Sequence, residues 1–471
     1  MSTREYDLIV IGAGPVGENV ADRAIRGGLT AAIVESELVG GECSYWACMP
    51  SKALLRAPAA LRAARDVAGA AEAVTGGVDV AAVLARRDRI VHDYQDTSQV
   101  EWLQGAGIDL VRGHGRLAGE REVTVTAADG ETTTLRARHA VAVCTGSAAL
   151  IPDIPGLQDA APWTSREATG VRTVPSSLII LGGGVVGLEM ATAFTALGSD
   201  VTVIARSTLL GGLEDFAGEA VGAALTGAGA TVLTGRGVEH VARSSDGVSV
   251  TLDDGSVVRA EEILVATGRV PRTEDLGLEH VGLEAGSWIR VDDTMRVPGN
   301  DWLYAVGDVN HRALLTHQGK YQARVAGDVI ARRAASNDVD TSAWSALAAT
   351  ADHSAVPQVV FTEPEVAAVG HTEASARDAG IDVKVVDYDL SWVAGASTHS
   401  DRYEGRSRAV IDAERGVLVG ATFVGPDVAE LLHAATIAIV GEVPLHRLWH
   451  AVPAYPTVSE VWLRWLETAG L

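Results

Sequence analysis

The chain has 471 residues, 47% of them hydrophobic, and its 38 Lys and Arg against 61 Asp and Glu leave a net charge of −23. That length predicts several domains with large buried cores, and that charge argues against nucleic-acid or anionic-membrane partners, which want basic surfaces. With only three cysteines, an extracellular disulfide framework is not expected either.

The N-terminus lacks a basic segment before its apolar run, and that run (residues 8–11) is too short for a signal peptide. A soluble, cytoplasmic protein is expected. The run reads as a strand buried on both faces. It leads into Gly12-Ala13-Gly14-Pro15-Val16-Gly17, a helical stretch to Arg26, and a second apolar strand ending at Glu35. Gly12, Gly14 and Gly17 permit a tight turn, close approach of a pyrophosphate and close helix–strand packing, with the helix N-terminus facing the phosphates. Glu35 is placed to accept from a ribose 2′-hydroxyl. Strand, glycine triplet, helix, strand and terminal acid in this order predict a dinucleotide site.

Next comes Gly40-Gly41-Glu42-Cys43-Ser44-Tyr45-Trp46-Ala47-Cys48-Met49-Pro50-Ser51-Lys52. Two thiols this close, near a helix start, can close into a redox-active disulfide, and a flavin held by the preceding fingerprint can pass two electrons into it.

The fingerprint recurs. Residues 178–181 are apolar, followed by Gly182-Gly183-Gly184-Val185-Val186-Gly187, a helix to Leu197 and a strand over 200–204. The apolar stretch 178–197, broken by Gly182, Gly183, Gly184 and Glu189, reads as strand–turn–helix rather than a membrane span. Gly182, Gly184 and Gly187 predict a second dinucleotide. This strand ends in Ala205-Arg206 instead of an acid, which favours NADPH over NADH if Arg206 meets the 2′-phosphate; the alternative is a solvated surface arginine.

Six further motifs complete the pattern: Cys144-Thr145-Gly146-Ser147, Ala266-Thr267-Gly268-Arg269-Val270-Pro271, Leu303-Tyr304-Ala305-Val306-Gly307-Asp308, Leu314-Leu315-Thr316-His317, the run 357–365, and Tyr455-Pro456-Thr457-Val458-Ser459-Glu460. Over essentially its whole length the chain resembles the class I pyridine nucleotide–disulfide oxidoreductases, a family that includes dihydrolipoamide dehydrogenase, glutathione reductase and mercuric reductase.

The resemblance implies an α/β fold with two Rossmann-like dinucleotide-binding domains plus a C-terminal α+β dimerisation domain. The expected boundaries are 1–150 for FAD, 151–272 for NAD(P), 273–335 for a central segment returning to the FAD domain, and 336–471 for the interface domain. It implies FAD in the first site, NADPH or NADH in the second, no metal, and a homodimer with a composite active site acting on a small molecule. Cys48 is implied to face the flavin and Cys43 the substrate. Lys52 and Glu189 would form an ion pair beside the flavin, and Asp308 would hold the ribityl chain. Gly41, Thr145, Gly146, Thr316 and Gly268 fall at cofactor-binding positions of the motifs.

The chain departs from the family pattern in three places. Disulfide reductases of the family carry a histidine directly before the proline that here follows Tyr455, paired with an acid that is present here as Glu460. Histidine suits thiol proton transfer because its pKa lies near neutrality; tyrosine is a poor base. Mercuric reductases also have a tyrosine-like position there, but they add a C-terminal cysteine pair, and here no cysteine follows Cys144. His446 and His450 lie upstream of Tyr455, and His450 matches no family ligand position; His317 falls near the flavin by motif position but is not assigned that proton transfer. Tyr45 and Trp46, where relatives have smaller residues, either narrow access to Cys43 or pack into the dimer core. Cys144 reads as a buried, inert thiol.

The expected reaction is therefore NAD(P)H oxidation through FAD and a Cys43–Cys48 disulfide to a small disulfide or electrophile. The alternatives are an NAD(P)H:quinone reductase, a dithiol oxidase running in reverse, and a non-enzymatic redox sensor.

Overall fold

Residues 3–471 are described by a computed structural model. Contacts group the chain into two units. The first consists of Met1–Pro50, Asp88–Ala149 and Arg269–His353.

Its sheet is built on the apolar strand Thr3–Ile11, flanked in parallel by Ala31–Glu35 on one side and Thr132–Val143 on the other. Asp109–Arg112 extends the first side, and Leu303–Ala305 also pairs with Thr132–Val143. Period-2 alternation explains the unbroken apolar run. Leu8 and Val10 enter one core with Val20, Ala24 and Val329, while Ile9 and Ile11 enter the opposite core with Val141 and Leu303. Helices Pro15–Arg26 and Thr316–Ala334 pack together on the first face. Gly27 lets them approach, since a Cβ there would lie 2.3 Å from that of Ala331. Arg23 and Asp328 pair across them at 2.5 Å.

The second unit consists of Ser51–Arg87, Leu150–Gly268 and Ser354–Leu471. It repeats the device in a parallel sheet ordered Thr231–Thr234, Asp200–Ala205, Ser177–Leu181, Glu262–Val265, with helix Val185–Ala196 after the glycine triplet. It also carries a five-stranded antiparallel sheet in which Val417–Gly425, buried along its whole length, lies between Glu365–Gly370 and Arg406–Asp412. A 3-10 turn, Val428–Leu431, runs into helix Leu432–Val440. Helix Val461–Thr468 closes this sheet through Trp465, whose indole N–H donates to Ser407 Oγ at 3.0 Å. Among the described residues no helix is long and apolar enough to cross a membrane.

Candidate active site

The site residues fall into two groups, one in each unit. In the first unit, Gly12 has φ +103°, and a Cβ there would sit 2.4 Å from the carbonyl oxygen of Cys144. A Cβ on Gly17 would sit 1.9 Å from the oxygen of Gly12. Only glycine fits either position. Gly14 is different: a Cβ there would meet nothing within 4 Å. It faces a hollow at the N-terminus of helix Pro15–Arg26, bordered by Gly41, which has φ +55° and whose Cβ would lie 2.9 Å from Gly14 Cα.

Glu35 ties this loop down. Its carboxylate accepts from the backbone N–H of Ala13 at 2.8 Å and of Glu37 at 2.7 Å, leaving lone pairs for a ribose hydroxyl. Thr145 Oγ1 is buried without a hydrogen-bond partner, next to Gly146 with φ +71°. Ser147 donates to Asp308 at 2.5 Å, and Arg269 Nε donates to Ser147 Oγ at 2.6 Å, so Asp308 is held in place from behind. A hollow that a side chain would fill, a helix N-terminus and an orphaned hydroxyl fit the phosphates and chain of a dinucleotide such as FAD.

The cysteines occupy two helices rather than one. Cys43 lies in the short helix Gly41–Tyr45, Trp46 ends it, and Cys48 opens Cys48–Arg65. Both are half-buried thiols in this structure. Cys48 Sγ lies 3.3 Å from Thr316 Oγ1, at the first residue of helix Thr316–Ala334, where the helix dipole favours a thiolate. The Cys43 thiol is pushed up, first by its hydrogen bond to Cys48 and then by burial, with Thr316 and Lys320 acting against both.

For Tyr45 the structure corrects both readings. The residue is fully buried within its own unit, its hydroxyl donating to the Val39 carbonyl at 3.1 Å, and so it neither lines an entrance nor faces a partner subunit. Trp46 packs beside it, ring centroids 5.6 Å apart. Cys144 is buried in the core and its thiol is raised by that burial. His317 is exposed.

In the second unit, Gly182 and Gly187 repeat the steric logic of the first fingerprint: their Cβ atoms would each lie 2.2 Å from a carbonyl oxygen, of Ala266 and Gly182 respectively. Gly184, like Gly14, faces open space, and Gly268 adopts φ +155°. Arg206 is exposed just past strand Asp200–Ala205 and makes no ion pair with the described residues. Lys52 Nζ donates to Glu189 Oε2 at 2.7 Å, and the other oxygen, Oε1, accepts from the Phe361 amide at 3.0 Å. The Phe361 ring lies under the ammonium, 4.9 Å from its centroid. Glu460 is buried, its Oε2 accepting from the Gly395 amide at 3.3 Å, whereas Tyr455 is 77% exposed. His446 and His450 are exposed too.

Sequence reasoning passed over Ser147, Arg269, Glu18 and Lys320. Ser147 and Arg269 stand inside quoted motifs, so their positions were the available signal. Glu18 and Lys320 had none.

Comparison with known proteins places these features. Residues 6–327 match the pyridine nucleotide-disulphide oxidoreductase family, and residues 356–465 match that family's dimerisation domain. The chain is 32% identical to a dihydrolipoyl dehydrogenase of Haloferax volcanii, over 98% of this chain and 96% of that one. It is 34% identical to a mercuric reductase of Acidithiobacillus ferrooxidans, over 97% of this chain and 81% of that one. In fold it is similar to the HOCl-induced flavoprotein disulfide reductase RclA of Escherichia coli, with TM-score 0.84, 22% identity and coverage of 98% and 99%. It is likewise similar to LpdA of Mycobacterium tuberculosis, with TM-score 0.83, 24% identity and coverage of 100% of both chains. The chain belongs to the pyridine nucleotide–disulfide oxidoreductases and is an FAD-dependent enzyme that uses NAD(P)H.

Proposed function

We propose that this enzyme carries two electrons from NAD(P)H to the Cys43/Cys48 pair and on to a small disulfide or another small electrophile. The contact of Cys48 with Thr316 at a helix N-terminus carries the reading, because a thiolate is favoured at such a position. FAD, when bound, supplies the change between hydride and thiol chemistry.

The chain's own residues do the rest. Cys43, released from the disulfide, gives up its proton and attacks one sulfur of the acceptor as the thiolate; a mixed disulfide forms and one acceptor thiolate leaves. Cys48 then attacks Cys43, closes the internal disulfide and releases the second thiolate. Each departing sulfur takes up a proton. Gly12, Gly14, Gly17, Gly41, Thr145, Gly146 and Asp308 hold FAD, while Gly182, Gly184, Gly187 and Gly268 hold the nicotinamide cofactor. Lys52 and Glu189 set charge beside the flavin. The exposed Arg206 favours NADPH. The composite site of a homodimer would bring Tyr455 and Glu460 of one protomer to the thiol pair of its partner. That a relative bears the name dihydrolipoyl dehydrogenase supports the reverse, dithiol-oxidising direction as an alternative.

Tyr455 supports a second reading. Quinones need less help from a protein base than disulfides do, so a chain without the histidine is suited to quinone reduction. Replacing each cysteine separately by serine separates the two: disulfide turnover is lost in both variants under the first reading, whereas quinone turnover survives in both under the second.

A further inference from the structure

The absence of an imidazole at position 455 leaves the thiol pair in need of another group to exchange protons. Glu18 meets that need. It follows the last glycine of the first fingerprint, on helix Pro15–Arg26, and its Oε1 is buried with no hydrogen-bond partner. It lines a cavity of about 370 Å³ with Asn19, Ser98, Gln99, Trp102 and Lys320. Lys320 stands on helix Thr316–Ala334, one turn after the threonine that touches Cys48. Its ammonium acts on both the Glu18 carboxylate and the Cys43 thiol.

The surroundings of Glu18 all bear on its charge. Burial pushes its carboxyl up to about 7, Glu35 adds in the same direction, and Lys320 opposes. Helix Thr97–Gly105 presents only the neutral Ser98, Gln99 and Trp102 to the cavity. The Tyr45 phenol, on the short helix with Cys43, feels the Glu18 charge from the remaining side.

We propose that Glu18, acting through Lys320, is the proton reservoir of the Cys43/Cys48 pair, in the place of a histidine at position 455. The inference rests on the reading that this pair lies in the electron path. Opening the disulfide takes two electrons, which NAD(P)H supplies, and two protons. The S–S bond breaks, one proton stays on Cys43, the other goes to Glu18, and Cys48 keeps the negative sulfur. Lys320 is the link. With the disulfide closed, Glu18 is the anion Lys320 stabilises; once the disulfide opens, the thiol pair competes for the ammonium through Cys43 and the carboxylate is more readily protonated. Glu18 is thus a positioning residue for the thiol chemistry, and the protein needs no imidazole to balance the charge.

The test is the pH dependence of Cys43 alkylation by iodoacetamide in the flavin-loaded enzyme, reduced either with NADPH or with dithiothreitol and followed by intact mass. The wild-type rate profile should bend near pH 7, where Glu18 titrates. Glu18→Gln should remove that bend. Lys320→Met should move it upward and slow alkylation at neutral pH by roughly tenfold, the equivalent of one pKa unit at Cys43. A Glu18→Gln profile that superimposes on the wild type, with the visible flavin spectrum intact, overturns the proposal. Thiols opened by dithiothreitol but not by NADPH would refute the electron path, while the dithiothreitol-reduced profile would still decide the role of Glu18.

Discussion

Cys48 Sγ and Thr316 Oγ1 lie 3.3 Å apart at the start of a 19-residue helix. The two cysteines are thereby made unequal: one sulfur rests against a helix N-terminus, and the thiol of the other is pushed up by its hydrogen bond to the first. Cys48→Ser should therefore abolish the long-wavelength charge-transfer absorbance of the reduced enzyme, whereas Cys43→Ser should retain it without any reductant. The visible spectrum of each variant checks this directly, and equal spectra would show that the two thiols are not differentiated.

The glycines of the first fingerprint separate folding from binding. Gly14→Ala adds a methyl group where no protein atom lies within 4 Å, so the variant should fold with wild-type secondary structure and lose FAD on gel filtration. Gly17→Ala forces a carbon against the Gly12 carbonyl and should cost about 2–4 kcal/mol in stability. Circular dichroism with flavin release reads both; retention of FAD by Gly14→Ala would show that the hollow does not hold the cofactor.

Lys52 and Glu189 form a half-exposed ion pair over a buried carboxylate. Lys52→Met leaves that carboxylate uncompensated except for the Phe361 amide. It should cost about 2 kcal/mol, less than a fully buried pair because the ammonium reaches solvent. Glu189→Gln keeps the amide contact and should cost less. Urea unfolding of the two variants measures the order, and the reverse order would refute the assignment.

Glu18 also predicts a pH signature in stability. Its carboxyl is raised in the folded state from an ordinary 4.5 to about 7. The folded state therefore binds the proton more tightly, so stability relative to a neutral side chain is complete below pH 4.5 and lost as pH rises through 7. Glu18→Gln should match the wild type at pH 4.5 and exceed it by about 3 kcal/mol at pH 8, as denaturant unfolding at the two pH values would show. Equal stability at both would mean the carboxylate is solvated.

Much of this was legible in the sequence, for a physical reason. Gly12, Gly17, Gly182 and Gly187 are fixed by clashes with nearby backbone, and residues 8–11 are apolar because both faces of their strand are covered, so the pattern is written locally. What was not legible depends on distant packing. Glu18 lies off the buried stripe of its helix, marked by Gly17, Val20, Ala21 and Ala24, and reads as a solvated acid. Only the arrival of Trp102 and Lys320 from far along the chain sets it in a pocket. Tyr45 looked like an entrance residue because its burial depends on Val39 and Gln95, whose carbonyls its hydroxyl approaches at 3.1 and 3.4 Å.

The measurement that bears most directly on the account is an anaerobic titration of the purified yellow protein with NADPH, then NADH, one equivalent at a time, recording the visible spectrum. The account predicts a long-wavelength charge-transfer band after the first equivalent while the flavin absorbance remains oxidised, formed faster with NADPH. Immediate bleaching of the flavin without that band would contradict it, because the Cys43/Cys48 pair would then lie outside the electron path.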